Sequence, residues 1–177
     1  MTRLLALVPC LVLGLGVLAP TAADAGTGTT TATVLRPVAP DVVPARGLVQ
    51  RVMEDRVVQL VNEQRTSNGC GTLKASNKLR KAARRHTVSM AQAGVMSHQL
   101  PGEAKFSTRI SRAGYRGWSL VAENIARGFS SPESVMDAWM NSPDHRHNIL
   151  NCRLREIGVG VVLEDDQLWW TQDFGVR

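Results

Sequence analysis

Arg3 is followed by sixteen uncharged residues, Leu4 to Ala19, rich in Leu, Val and Ala and broken by Pro9, Gly14 and Gly16. This run constrains the chain more than any other feature, because it decides where folding takes place. It is shorter than the roughly 20 apolar residues a spanning helix needs, which counts against a membrane anchor. A basic start, a short apolar centre and the closing Ala23-Asp24-Ala25 form the pattern of a secretory signal peptide over residues 1–25, cut after Ala25. The fold must then be built from Gly26 to Arg177 in an oxidising compartment, with no transmembrane segment in the mature form.

Residues 26–46 are rich in Thr, Gly, Ala and Pro, with Pro37, Pro40 and Pro44 closely spaced. Such a stretch buries too little apolar surface to offset the entropy of ordering it, so a flexible leader is expected. The folded domain is expected over residues 47–177, long enough for one core. With 44% hydrophobic and 20% charged residues, composition excludes a disordered, collagenous or coiled-coil chain.

Within that domain the apolar spacing predicts a helix over about 48–66, stopped by Asn68-Gly69, and a second over 76–93, stopped by Gly94. A short helix is expected around 105–113. Ser131-Pro132 and Ser142-Pro143 each place an N-cap residue before a proline at the first helical position. Two β-rich runs, 157–163 and 168–174, flank Glu164-Asp165-Asp166-Gln167, a hairpin signal, and 119–126 supplies a further strand. Few strands separated by helices favour a mixed sheet packed with helices over a Rossmann pattern.

Cys70 and Cys152 are the cysteines left after signal cleavage. A lone pair in an exported chain without C-x-x-C is expected as a disulfide rather than a metal or redox site. In the chain-entropy view such a bridge is worth roughly 4 kcal/mol at most. The net charge of +6 is concentrated at Lys78, Arg80, Lys81, Arg84 and Arg85. For an exported domain that cluster reads as a solvated face suited to anionic wall polymers or lipid head groups rather than to nucleic acid.

The chemical inventory is short. His86 falls on the inner stripe of the second helix and reads as a hydrogen-bonded core histidine. His98 follows that helix in Met96-Ser97-His98, at a junction where a side chain can enter a cleft. His145 and His147 form H-x-H, but on the helix that Ser142-Pro143 predicts they point about 160° apart, so one at most faces a shared site. Glu123 sits among Val121, Ala122, Ile125 and Ala126. It either points outward from an edge strand or is buried with an imidazolium or metal partner. No G-x-S-x-G, P-loop, dinucleotide fingerprint, EF-hand or H-E-x-x-H occurs.

Met96-Ser97-His98, Ala122-Glu123-Asn124-Ile125-Ala126, the run Ala138 to Leu150 around Pro143-Asp144-His145-Arg146-His147, Glu156-Ile157-Gly158-Val159-Gly160 and the closing Trp170 to Gly175 occur in that order. Together they resemble the bacterial branch of the CAP superfamily, which groups cysteine-rich secretory proteins, insect venom antigens and plant pathogenesis-related proteins. The resemblance spans about residues 50–175. It implies an α/β (α+β) fold, a three-layer α-β-α sandwich with a central mixed, mostly antiparallel sheet and a central cleft. In eukaryotic members two histidines and two glutamates line that cleft and hold a divalent cation. By resemblance His98, Glu123 and His145 are three of the four, giving a cavity and metal set for zinc or a similar ion. The usual place of the second glutamate holds Asn141 and Ser142, and Glu156 is the available substitute. Asn124 and Asn148 match positions that brace the backbone.

The resemblance leaves three functional expectations. The first is a secreted, non-catalytic binding module whose cleft holds a metal or a small, lipid-like ligand. The second is a metal-assisted hydrolase of peptide or cell-wall bonds, with Glu123 the sole candidate catalytic base. The third is a cell-wall interaction domain acting through its basic surface. The signal architecture is tested by intact mass: the secreted protein should begin at Gly26, and a secreted form retaining Leu4 to Ala19 contradicts cleavage.

Overall fold

The computed structural model describes residues 45–177; the expected signal peptide and the leader up to residue 44 lie outside the described residues. Helix α1 (Ala45–Ser67) begins slightly ahead of the expected 48 and ends before Gly69, whose φ of 77° suits a residue without a Cβ. Strand β1 (Lys74–Ala75) is too short to leave a periodic signal. Helix α2 (Asn77–Ala93) ends on Gly94 in the left-handed conformation. Helix α3 (Phe106–Arg112) and strand β2 (Leu120–Arg127) follow.

Helix α4 (Pro132–Asn141) opens with a capping box, in which the Ser134 backbone N–H donates to Ser131 Oγ and the Ser131 N–H to Ser134 Oγ. Helix α5 (Pro143–Ile149) starts at the second Ser-Pro pair. Strands β3 (Glu156–Glu164) and β4 (Gln167–Val176) form the expected hairpin. Its two turn residues, Asp165 and Asp166, have φ of 47° and 57°, the geometry of a tight two-residue turn that aspartate tolerates.

The sheet order is β1-β3-β4-β2, with β1 parallel to β3 and the other pairs antiparallel. On one face Ile157, Val159, Val161, Trp170 and Phe174 pack against Val57 and Val61 of α1 and Val135, Met136 and Trp139 of α4. The opposite face carries α2 and α3, making the α-β-α sandwich that the resemblance implies. There Gly158 and Gly160 are required by packing: a Cβ at either would overlap the α2 backbone at Leu79–Arg80 or Ala83–Arg84.

Three contacts clamp these layers. Glu54 of α1, fully buried, accepts both Arg84 Nε and Nη2 at 2.6 Å, faces Arg80 Nε at 3.4 Å and takes a backbone bond from Val161. It thereby joins α1 to α2 across the edge of β3 that β1 does not cover. Cys70 and Cys152 are bonded, Cα atoms 5.0 Å apart, tying the end of α1 to the turn after α5. Buried Arg65 donates to the carbonyls of Gly71, Ile149, Asn151 and Leu154 at 2.7–3.2 Å. These four bonds satisfy carbonyls at the end of α5 and in the loops beside it.

The packing of α2 predicts that Gly158→Ala lowers stability by about 1–3 kcal/mol, the usual cost of overpacking. Gly71→Ala, where nothing lies within 4 Å of the new Cβ, should stay within about 0.5 kcal/mol of the parent. Urea denaturation of both variants checks the pair, and equal effects would contradict the close approach.

Candidate functional site

Strand β2 is the edge of the sheet, paired only with β4. Its alternation turns Glu123 and Ile125 toward the α2–α3 side and Asn124 toward α4 and α5. Glu123 is therefore the buried alternative, with a side chain only 2% exposed. Its Oε1 accepts from His98 Nδ1 at 2.9 Å and its Oε2 from Arg109 Nη2 at 2.5 Å. Burial alone would raise the Glu123 pKa, but the His98 hydrogen bond and the charges of Arg109 and His86 outweigh it and hold the carboxyl below its ordinary range. Arg109 also donates to the carbonyls of His98 at 2.8 Å and Ala104 at 3.0 Å. One guanidinium thus neutralises the carboxylate and fastens the loop that carries His98.

Directly across from Glu123 on β4 stands Asp173, 1% exposed, with one oxygen lacking any partner. Burial and the facing Glu123 charge push the Asp173 pKa well above its ordinary value. The two carboxyls therefore share the site as one neutral and one ionised group. His86, fully buried as expected, bonds Glu103 Oε1 through Nδ1 at 2.9 Å and leaves Nε2 without a partner. Orphaned atoms on His86 and Asp173 suit a buried water.

His145 comes from the first turn of α5. Asn124 Nδ2 donates to its carbonyl at 3.1 Å and to Gln172 Oε1 at 3.0 Å; Asn148 donates to Asn124 Oδ1 at 2.9 Å and to the Glu123 carbonyl at 3.3 Å. These two asparagines brace β2 against α5. Partial burial, and then the charge of His98, hold the His145 imidazole below its ordinary pKa. The three residues expected to meet, His98, Glu123 and His145, thus surround one edge of β2.

Beside them opens a cleft of about 620 Å³. Met96, Ile125, Ala126, Phe129, Ala138 and Trp139 supply its apolar wall, and Arg127, Ser142, His145 and Gln167 its polar groups. His145 lines it; the His98–Glu123–Arg109 cluster stands behind, two residues from Ile125 along β2. The β2 edge is already occupied by side chains: Trp139 Nε1 donates to the Ile125 carbonyl at 3.2 Å and Asn148 to that of Glu123. Pairing with a further strand is blunted there.

One sequence expectation is corrected, and the divergence expected of His145 and His147 is seen. Glu156 does not join the cluster: two strands away from β2, it accepts from Tyr115 at 2.6 Å and from Arg177 at 3.0 and 3.2 Å. His147 is exposed on the far side of α5, by Leu150, Asn151 and Cys152. Asn141 is exposed, and Ser142 lines the cleft without a charge. Among the described residues no group of three or more His, Cys, Asp and Glu side chains is arranged to hold a metal ion. The reason is visible at Glu123, both of whose oxygens are already committed.

Sheet, layers and edge cluster define a CAP-type sandwich. Residues 58–174 match the CAP family, described as the cysteine-rich secretory protein family, and the chain belongs to it. The chain is 37% identical over 122 residues to the uncharacterized protein YkwD of Bacillus subtilis, covering 69% of this chain and 47% of that one. It is 26% identical over 126 residues to the uncharacterized membrane protein YlbC of the same organism, covering 71% and 35%. It thus spans about half the length of one curated relative and about a third of the other. Among solved structures it is similar to an extracellular SCP-domain protein of Bacillus anthracis, at TM-score 0.70 and 26% identity, covering 80% of this chain and 45% of that one. An outer surface protein of Borrelia burgdorferi shares the fold at TM-score 0.64 and 23% identity, covering 70% and 91%.

The facing carboxyls give opposite pH dependences. Glu123, with its pKa lowered, contributes stability that is present above its unfolded value and lost as pH falls through its folded one. Asp173, with its pKa raised, contributes stability that is present below its unfolded value and lost as pH rises through its folded one. Asp173→Asn keeps a donor toward Glu123 and removes that second titration. Its stability relative to the parent should therefore rise with pH above the ordinary carboxylate range in denaturation curves; a pH-independent difference would contradict the shared site.

Proposed function

We propose that this chain is an exported, non-catalytic binding module whose cleft takes a small amphipathic ligand, apolar along its body and polar at one end. The observation that carries the reading is the cleft itself. Its volume falls in the range of small-molecule sites, and aliphatic and aromatic side chains with a few polar groups among them are what such sites use. Arg127 and His145 supply a cation and a neutral imidazole for a carboxylate or hydroxyl head, while Phe129, Trp139 and Met96 suit an acyl or other apolar chain. Export is supported by the signal-like amino terminus and by the Bacillus anthracis neighbour, which is described as extracellular.

The state of Glu123 supports the non-catalytic reading. The sole candidate base has both oxygens engaged by His98 and Arg109, and Asp173 is sealed within the sandwich. A divalent cation such as zinc is the second reading, favoured by the lowered His145 pKa, which leaves that imidazole neutral and able to coordinate. That ion would rely on His98 and His145, because Glu123 would have to abandon Arg109 and leave a buried guanidinium unpaired.

Titration with a fluorescent fatty acid tests the first reading. Saturable binding is expected, and Ala138→Trp, which fills the cleft, should weaken it about tenfold or more while the fold persists. Absence of saturable uptake, with zinc bound instead in a manner lost in His145→Ala, would replace it by the metal reading.

A further inference from the structure

On the other side of the molecule from the β2 edge, α1 and α2 close over the free edge of β3 and leave a groove of about 400 Å³. It is lined by Arg51, Asn77, Arg80, Lys81, Arg84 and Arg85. Five of these six side chains are cationic. Among the described residues the carboxylates that answer them are Glu54 and Asp55, so five minus two leaves a surplus of three positive charges. Lys81 and Arg85 are exposed and make no ion pair among the described residues.

The surplus continues beyond the groove. Helix α2 contains no acidic residue along its length. Lys78, Lys81 and Arg85 are spaced three and four apart and so share one exposed face, about 10 Å long at 1.5 Å per residue. The start of the same helix is uncompensated as well: Ser76 makes no side-chain cap bond, and the first turn carries no acid. Arg80, whose side chain is 5% exposed, bonds Asp55 through Nη2 at 2.5 Å while its buried Nε has no hydrogen-bond partner. That Nε faces Glu54 at 3.4 Å, so Arg80 and Arg84 are answered by Glu54 and Asp55, and the groove's unanswered cations are Lys81 and Arg85.

We infer that this groove and the α2 face bind a linear, non-nucleic polyanion whose charges are phosphodiesters. Arg85, in no ion pair among the described residues, offers a planar fork that matches the oxygens of a phosphate in pairs, and Lys81 beside it adds a point charge. The length of the charged face exceeds a single phosphate, which calls for a polymer. A single-stranded nucleic acid would want aromatic platforms for its bases, and none lines the groove. An anionic lipid surface would want large apolar side chains in the groove, and none lines it; the exposed Val52 and Val88 lie beside it, which makes lipid vesicles a necessary control in the test.

The test uses the full exported chain and poly(glycerol phosphate) as probe, followed by fluorescence anisotropy over a range of salt. Binding should weaken steeply with salt. Lys81→Glu combined with Arg85→Glu, both on exposed side chains, should reduce affinity about tenfold or more and flatten the salt dependence by about one to two contacts. A melting curve confirms that the variant folds. The same variant should bind the fluorescent fatty acid as the parent does, so failure here is separable from failure of the cleft reading. Polyglutamate should bind more weakly than the phosphodiester. Salt-insensitive binding, an undiminished affinity in the double variant, or tighter binding to single-stranded DNA or to phosphatidylglycerol vesicles would each overturn the proposal.

Discussion

A carboxylate buried in an edge strand must be neutralised, and the functional end of this molecule is arranged around that requirement at Glu123. Arg109 reaches it from α3 and His98 from the loop after α2. Without both, the ionised group would carry the cost of several kcal/mol that removing a partner from a buried pair incurs. The same Arg109 bonds the His98 and Ala104 carbonyls, so the loop, α3 and β2 are placed together by one side chain. Asn124 and Asn148 extend the arrangement through the strand to α5 and fix where His145 stands. Cleft position and charge compensation are thus one structure.

Packing on the opposite side obeys a different constraint. Gly158 and Gly160 let α2 lie on β3 at backbone contact, which brings Arg80 and Arg84 within reach of Glu54 on α1. Burial and desolvation push Glu54 upward in pKa even so, the two arginines opposing. The charged groove over this edge therefore sits on a scaffold set by two missing side chains. The phosphodiester site and the apolar cleft occupy separate edges of one sheet, β3 and β2, and need not act through one another.

Local chemistry made much of this legible in the sequence. Two Ser-Pro pairs announced α4 and α5, and the acidic turn announced the β3–β4 hairpin. The two cysteines that follow the signal-like segment announced the bridge between Cys70 and Cys152. Glu123 stood out because its neighbours are apolar. What stayed hidden depends on which strands become neighbours. Asp173 faces Glu123 only through the β2–β4 register, and Arg109 meets it only because α3 folds back over the sheet. Glu156 was drawn toward the site by counting glutamates, whereas the sheet order places it beside Tyr115 and Arg177. Gly158 and Gly160 carried a motif in the sequence, but their reason, the approach of α2, is a tertiary fact. Arg65, one of many arginines in the chain, gives no local sign that it caps four carbonyls.

The central claim is that the Glu123 carboxylate belongs to His98 and Arg109, which leaves the neighbouring cleft an apolar site. The ring nitrogens of His98 report on this directly. In nitrogen-15 spectra of the imidazoles at neutral pH, the account predicts a protonated, hydrogen-bonded His98 Nδ1 that is unchanged when zinc is added in equal amount and that loses its hydrogen-bond signature in Glu123→Gln. Zinc-induced shifts at His98 and His145 together, with His98 Nδ1 released from Glu123, would contradict it.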